Sequence, residues 1–149
     1  MASCCETASD DRAPERCPRC DEKGRPVPRQ TVAAMAKLAV PARALARPNH
    51  ARCTGRTCEV VYFDDTGAVI ERKDVRVPVH WKDDGLDVPL CYCFAHTRRS
   101  IRDEIDARGA STAFASISAA VKAGECACDV KNPSGTCCLG DIRRYGDVL

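Results

Sequence analysis

Apolar residues along the chain come in short runs separated by turn residues, and two different periods are visible. Glu59-Val-Val-Tyr-Phe63 and Ala68-Val-Ile-Glu71 flank Asp64-Asp-Thr-Gly67. β-Branched and aromatic runs on either side of a glycine-bearing turn predict a β-hairpin. Residues 75–80 (VRVPVH) read as one further strand, which Pro78 confines to an edge. Beyond the Lys82-Asp-Asp-Gly85 turn the period becomes helical. Thr97 suits the N-cap of a helix over 97–108 that turns Ile101 and Ile105 inward and stops at Gly109. A second helix opens at Ser111 or Thr112, with Phe114, Ile117 and Val121 inward and Gly124 at its end. A third starts near Leu139 with Ile142 inward. The pattern before the hairpin is weaker. Residues 26–29 are extended, because alternate prolines forbid a helix. Residues 31–38 fit either a short helix or a strand, and the Ala/Arg/Pro-rich stretch 40–48 reads as a connection. Residues 1–16 are polar and patternless, which predicts a mobile tail.

Strands followed by helices predict an α+β fold in two small units, a β-rich one over 17–85 and a helical one over 86–149. Composition sharpens this picture. In 149 residues only 5% are aromatic while twelve are cysteine. The apolar core is therefore small, and bound metal is expected to supply much of the folding energy. No signal-peptide pattern opens the chain, since Cys4, Cys5, Glu6, Asp10 and Asp11 stand where an apolar stretch would be, and no run is long enough to span a membrane. The expected location is the cytoplasm, where clustered cysteines bind metals rather than form disulfides. A formal charge of +2 with both signs interspersed carries no basic stripe for nucleic acid.

The cysteines fall into groups. Cys17-Pro-Arg-Cys20 resembles a zinc knuckle, in which a tight turn points two sulfurs at one ion. A thioredoxin-type redox motif should follow a buried strand, and nothing before Cys17 reads as one. Cys53-Thr-Gly-Arg-Thr-Cys58 offers a second half-site, so Cys17, Cys20, Cys53 and Cys58 are expected to hold Zn2+ and to make the first unit zinc-ribbon-like. The 32 residues between the halves imply an inserted element. Four thiolates leave no place for His50, read as a surface histidine; His80 is read as a half-exposed strand residue, and His96 as solvent-facing. The last six cysteines, Cys91, Cys93, Cys126, Cys128, Cys137 and Cys138, are spread around the predicted helices. That spacing is closer to a [2Fe–2S] site than to a zinc finger. Cys4-Cys5 forms either a capture site for Cu+ or another soft ion, or a pair of thiols without a fixed role.

Cys91-x-Cys93, two helices and a further cysteine pair before a short helix resemble the [2Fe–2S] domains of bacterioferritin-associated ferredoxins. More specifically, Cys17-Pro-Arg-Cys20, Cys53 to Cys58 running into Glu59-Val-Val-Tyr-Phe63, Cys91-Tyr-Cys93 and Cys128-Asp-Val-Lys-Asn-Pro-Ser-Gly-Thr-Cys137-Cys138 resemble the N-terminal domain of CopZ-type copper chaperones, which joins a zinc site to a [2Fe–2S] cluster. The resemblance implies zinc on Cys17, Cys20, Cys53 and Cys58. It implies a cluster on Cys91, Cys93, Cys128 and Cys138, with Cys126 and Cys137 as the alternatives should the register differ. It further implies a role in copper homeostasis: one-electron transfer supporting reduction of Cu(II) to Cu(I), or metallochaperone action, with copper ions, a copper-transporting ATPase or chaperone and an electron donor as partners. The Met-x-Cys-x-x-Cys copper loop of the full-length chaperones has no counterpart in these residues. The competing readings are a structural module with zinc in both sites, and soft-metal sequestration through Cys4-Cys5. A classical enzyme is not favoured, because no nucleophile has a histidine partner and no glycine loop could cradle a phosphate. The acidic and basic residues of 98–106 form an ordinary solvated helix face.

Overall fold

The computed structural model describes residues 12–148. Cys4 and Cys5, proposed above as a capture site, lie outside the described residues. The fold is α+β. Four short strands, β1 (Gly24–Val27), β2 (His50–Cys53), β3 (Val60–Asp64) and β4 (Val69–Glu71), form one antiparallel sheet in sequential order. Pro26 lies in β1, an edge strand, where its missing N–H breaks no ladder. The β3–β4 hairpin is the predicted one. Asp64 shapes its turn, with Oδ1 accepting from the Thr66 and Ala68 amides at 2.8 and 3.0 Å. The register shifts between Val60 and Tyr62. This irregularity breaks the strand's alternation, so Val61 and Tyr62 join one apolar cluster while Val60 and Phe63 join another.

The insertion between β1 and β2 is a helix, α1 (Arg29–Met35), followed by a short 3-10 turn over Ala42–Leu45. Its choice of helix over strand follows from Thr31, Val32 and Met35, whose spacing puts all three on one side of a helical turn. Val32 and Met35 cover the sheet together with Val61, Tyr62, Ile70, Val75 and Val79. The strand expected over 75–80 does not form. Only Val75 makes a bridge, to Ala36, and the Arg76 amide donates to the Met35 carbonyl at 2.8 Å. Pro78 then removes the donor that would continue a ladder.

The second unit opens with a small hairpin, β5 (Pro89–Cys91) and β6 (His96–Thr97), which the sequence pattern did not show. Helix α2 (Arg98–Arg108) has a complete capping box between Thr97 and Ser100 and ends at Gly109. Helix α3 (Ala113–Lys122), the one-turn α4 (Cys128–Lys131) and α5 (Leu139–Val148) follow. Ile101, Ile117 and Ile142 are the buried aliphatic anchors of this unit, each stabilising it by about 2 kcal/mol through burial. Phe114 is 40% exposed rather than inward. The packed stripe of α3 is Ala113, Ile117 and Val121, an i, i+4, i+8 row that leaves Phe114 beside it, under the Arg143 guanidinium.

The loop before α5 ties the two units together. Tyr62, fully buried on β3, donates its hydroxyl to the Pro133 carbonyl. On α1, Thr31 Oγ1 donates to the Asp129 carbonyl at 2.6 Å and Gln30 Nε2 to Asp129 Oδ2 at 3.0 Å. Asn132 is fully buried and organises the turn, accepting from the Ser134 amide at 3.0 Å and donating to the Thr136 carbonyl at 3.0 Å. Gly135 has φ +70°, and a Cβ there would come within 2.8 Å of Thr31 Oγ1 and 2.9 Å of Pro28 Cδ. Gly135→Ala should therefore lower stability by about 2–3 kcal/mol, from left-handed backbone strain plus overlap. Anaerobic urea unfolding would show this as a lower midpoint at constant slope.

Candidate metal centres

The first centre is built by two turns that face each other. Between Cys17 and Cys20 the chain folds back sharply: the Cys17 amide donates to the Glu22 carbonyl at 2.9 Å, the Asp21 amide to the Cys17 carbonyl at 3.0 Å, and Asp21 adopts φ 62°. Opposite it, Cys53 ends β2 and Cys58 precedes β3. The four sulfurs of Cys17, Cys20, Cys53 and Cys58 all lie within 4.8 Å of one another, and Cys20 Sγ is 3.4 Å from Cys53 Sγ. Tetrahedral zinc with bonds of about 2.3 Å spaces its sulfurs about 3.8 Å apart, so this set fits a single Zn2+. Gly55 lets the second turn close on it, because a Cβ there would lie 3.1 Å from Cys20 Sγ and 3.3 Å from Cys58 Cβ. Cys17 and Cys53 are buried, while Cys20 is exposed.

Burial pushes the Cys53 thiol up to about 12 and raises Cys58 as well. At Cys20 burial acts the same way, but the Glu22 amide and the surrounding thiols outweigh it and hold the group below the ordinary thiol. A cation is what allows four such thiols to ionise together, and its affinity falls as protons compete on acidification. The backbone around the centre is held by two residues from the turn after Val79. Trp81 Nε1 donates to the Cys53 carbonyl at 2.8 Å, and Lys82 Nζ to the carbonyls of Gly55 and Cys58 at 2.5 and 2.9 Å. Lys82 is only 7% exposed and forms no carboxylate ion pair among the described residues; the Cys53 sulfur is a negative centre that its charge favours. Lys82→Met should weaken zinc retention by about tenfold or more, the range of a lost charged hydrogen bond. Competition against a chromogenic chelator would measure it.

The second group of thiols comes from β5, the turn after it, α4 and the start of α5. Cys93 Sγ lies 3.6 Å from Cys128 Sγ and accepts from the Ala127 amide at 3.3 Å. Cys91 and Cys138 are more deeply buried and pack together in the core of the helical unit. The neighbouring Cys138, against burial and with the local backbone, lowers Cys91 to about 6; Cys91 and then burial push Cys138 up. Burial, then Cys93, raises Cys128 to about 12. Among the described residues, only the first group closes into a compact tetrad. Cys126 is half-buried and Cys137 exposed.

No histidine belongs to the first tetrad. His50 is a core residue rather than a surface one, 2% exposed with Nε2 3.1 Å from the Ala44 carbonyl. His80 is also buried, in a turn rather than a strand, with Nε2 3.4 Å from Asp141 Oδ2 on α5. Burial alone would raise the Asp141 carboxyl, but His80 and then Arg144 outweigh it and hold it below the usual range. Trp81 and Lys82 escaped sequence reasoning because Lys82-Asp-Asp-Gly85 reads as a solvent turn; a tryptophan directly before it was the only signal.

Residues 14–76, which include the whole first centre, match the family model zf_CopZ, described as a zinc binding domain. The fold is similar to the X-ray structure of the Archaeoglobus fulgidus CopZ N-terminal domain, with 28% sequence identity, a TM-score of 0.68, and coverage of 88% of this chain and 97% of that one. No curated protein matches the chain.

Proposed function

We propose that this chain is a cytoplasmic zinc and iron–sulfur protein of copper homeostasis. In this reading Cys17, Cys20, Cys53 and Cys58 hold Zn2+ as a structural ion, and Cys91, Cys93, Cys128 and Cys138 hold a [2Fe–2S] cluster. The observation that carries it is the convergence of the second thiol group: Cys93 lies 3.6 Å from Cys128, and Cys91 and Cys138 pack in one buried cluster with Cys93 against it. Two irons that each take two thiolates call for two pairs, while a single zinc calls for one tetrad. The likeness to a CopZ N-terminal domain supports the copper context. A bound cluster would supply one-electron chemistry, suited to reducing Cu(II) to Cu(I) or to supporting Cu+ transfer to a copper-transporting ATPase or chaperone. The chain's own part is to present the thiolates and to set their surroundings. The Ala127 amide donates to the Cys93 sulfur at 3.3 Å, and such contacts tune a cluster's potential. The burial of Cys91 and Cys138 beside the half-buried Cys93 and Cys128 leaves the second pair as the side nearer to solvent and to an electron donor.

The test is metal and acid-labile sulfide analysis of anaerobically purified protein, with its visible spectrum and the EPR of the reduced form. About two irons, two sulfides and one zinc per chain are expected. Zinc in both centres without sulfide, reproducibly, would replace this reading with that of a structural zinc module.

A further inference from the structure

A depression of about 1080 Å3 lies between the sheet unit and helices α2 and α5. Arg25, Arg52 and Arg56 line it from the sheet side, and Arg98, Arg102 and Arg144 from the helical side, against two aspartates, Asp84 and Asp141. Both aspartates are already engaged. Asp84 pairs with Arg56, and Asp141 with Arg144 and His80. Arg98 is turned toward backbone, donating to the carbonyls of His80 at 3.0 Å and Asp83 at 2.9 Å. Six arginines and two aspartates leave four positive charges uncompensated in a chain whose formal total is +2. The arginines come from positions 25 to 144, which is why no basic stripe is visible in the sequence.

Two further observations show that this charge is held at a cost to the fold. Arg25 and Arg52 are register partners across β1 and β2, and like charges directly opposite one another weaken strand pairing. Burial, and after it Arg25, lowers the pKa of Arg52, whose guanidinium lies 4.4 Å over the Trp81 ring. The side chains of Arg25 and Arg102 make no hydrogen bond or ion pair among the described residues.

The geometry points to a docking groove for a carboxylate-rich segment of a partner protein. Guanidinium forks match carboxylates two bonds at a time, and arginine is the cation enriched in protein interfaces. The depression is at the upper end of, or beyond, the roughly 300–1,000 Å3 of small-molecule sites, and its charge is spread over both units, as an extended acidic segment requires. Arg52 and Thr54 flank Cys53 and Leu90 precedes Cys91 along the chain, so the segment would seat on backbone that also carries both thiol groups. The inference goes beyond the metal chemistry proposed above and does not depend on which ions the thiols hold.

A labelled oligoglutamate peptide titrated into the purified, metal-loaded full chain and followed by fluorescence anisotropy tests it. Saturable binding that weakens with salt is expected. Arg25→Glu/Arg102→Glu should weaken it by at least about tenfold. Arg43→Glu/Lys122→Glu reverses as much charge at exposed positions outside the groove and should change it by less than about twofold. Arg102→Glu alone, at an exposed helix position, gives the same direction should the double variant fail to fold. Equal weakening by both doubles, or no saturable binding, would overturn the groove. Pyrophosphate binding more tightly than the peptide would make this a small-anion site instead.

Discussion

Cys53→Ser abolishes stable folding of the sheet unit: zinc content falls from about one per chain toward zero and the far-UV signal of the sheet is lost at a temperature where the parent protein is intact. The expected size follows from comparing two quantities. Structural zinc contributes about 10–16 kcal/mol to the folding of small zinc domains, whereas a whole domain is stable by only about 5–15 kcal/mol. Cys53 is fully buried, lies opposite Gly24 in the β1–β2 register, and packs with Cys17, Ala51, Cys58, Val60 and Phe63. A serine there removes a soft ligand and places a hydroxyl among apolar neighbours, so nothing compensates for the lost bond. Chelation of the parent protein should reproduce the loss, and readdition of zinc should reverse it. A folded, metal-free Cys53→Ser protein with an unchanged melting temperature would show that the tetrad is dispensable for the fold.

The second large effect is all-or-none and spectroscopic. Serine at Cys91, Cys93, Cys128 or Cys138 should remove the visible absorption and the EPR signal of the reduced protein, whereas serine at Cys126 or Cys137 should leave both. The contrast between Cys137 and Cys138 is the sharpest arm. These neighbours stand just before α5, yet Cys138 is 1% exposed against Leu90, Ile101 and Ile142 while Cys137 is exposed. Bleaching by Cys137→Ser with Cys138→Ser unaffected would sink the proposed ligand set.

Much of this architecture is written in local patterns. The hairpin over 59–71, the capping residues of α2 and the inward Ile101, Ile117 and Ile142 follow from alternation, turn residues and helical spacing, because each depends on neighbours in the chain. The cysteine tetrad was legible for the same reason, as each half-site is a tight turn with its own spacing. What was not legible depends on distant residues. His50 and His80 are polar by type, but the fold buries them against Ala44 and Asp141, and no local signal marks that. Lys82 sits in what reads as a solvent turn, yet its ammonium is caught by carbonyls 24 and 27 residues earlier. Phe114 looked inward because it is large and apolar, but helical phase gives the packed stripe to Ala113, Ile117 and Val121. The arginine groove is invisible in the sequence altogether, since six scattered arginines converge only after both units have formed.

The anchoring of the 129–135 segment has a consequence in time. Tyr62 reaches Pro133 across 71 positions of sequence and Thr31 reaches Asp129 across 98, so these contacts close some of the largest loops in the chain. Contacts of that separation form late. The sheet, whose pairings are between neighbouring strands, can form first and capture its ion while the chain beyond it is still unstructured. Cys128 and Cys138 are then brought to Cys91 and Cys93 on a surface that already exists. On the proposed metal assignment, maturation would be ordered by chain topology: zinc loading would come before cluster insertion, and zinc-starved cells would accumulate protein unable to receive iron however much iron they hold.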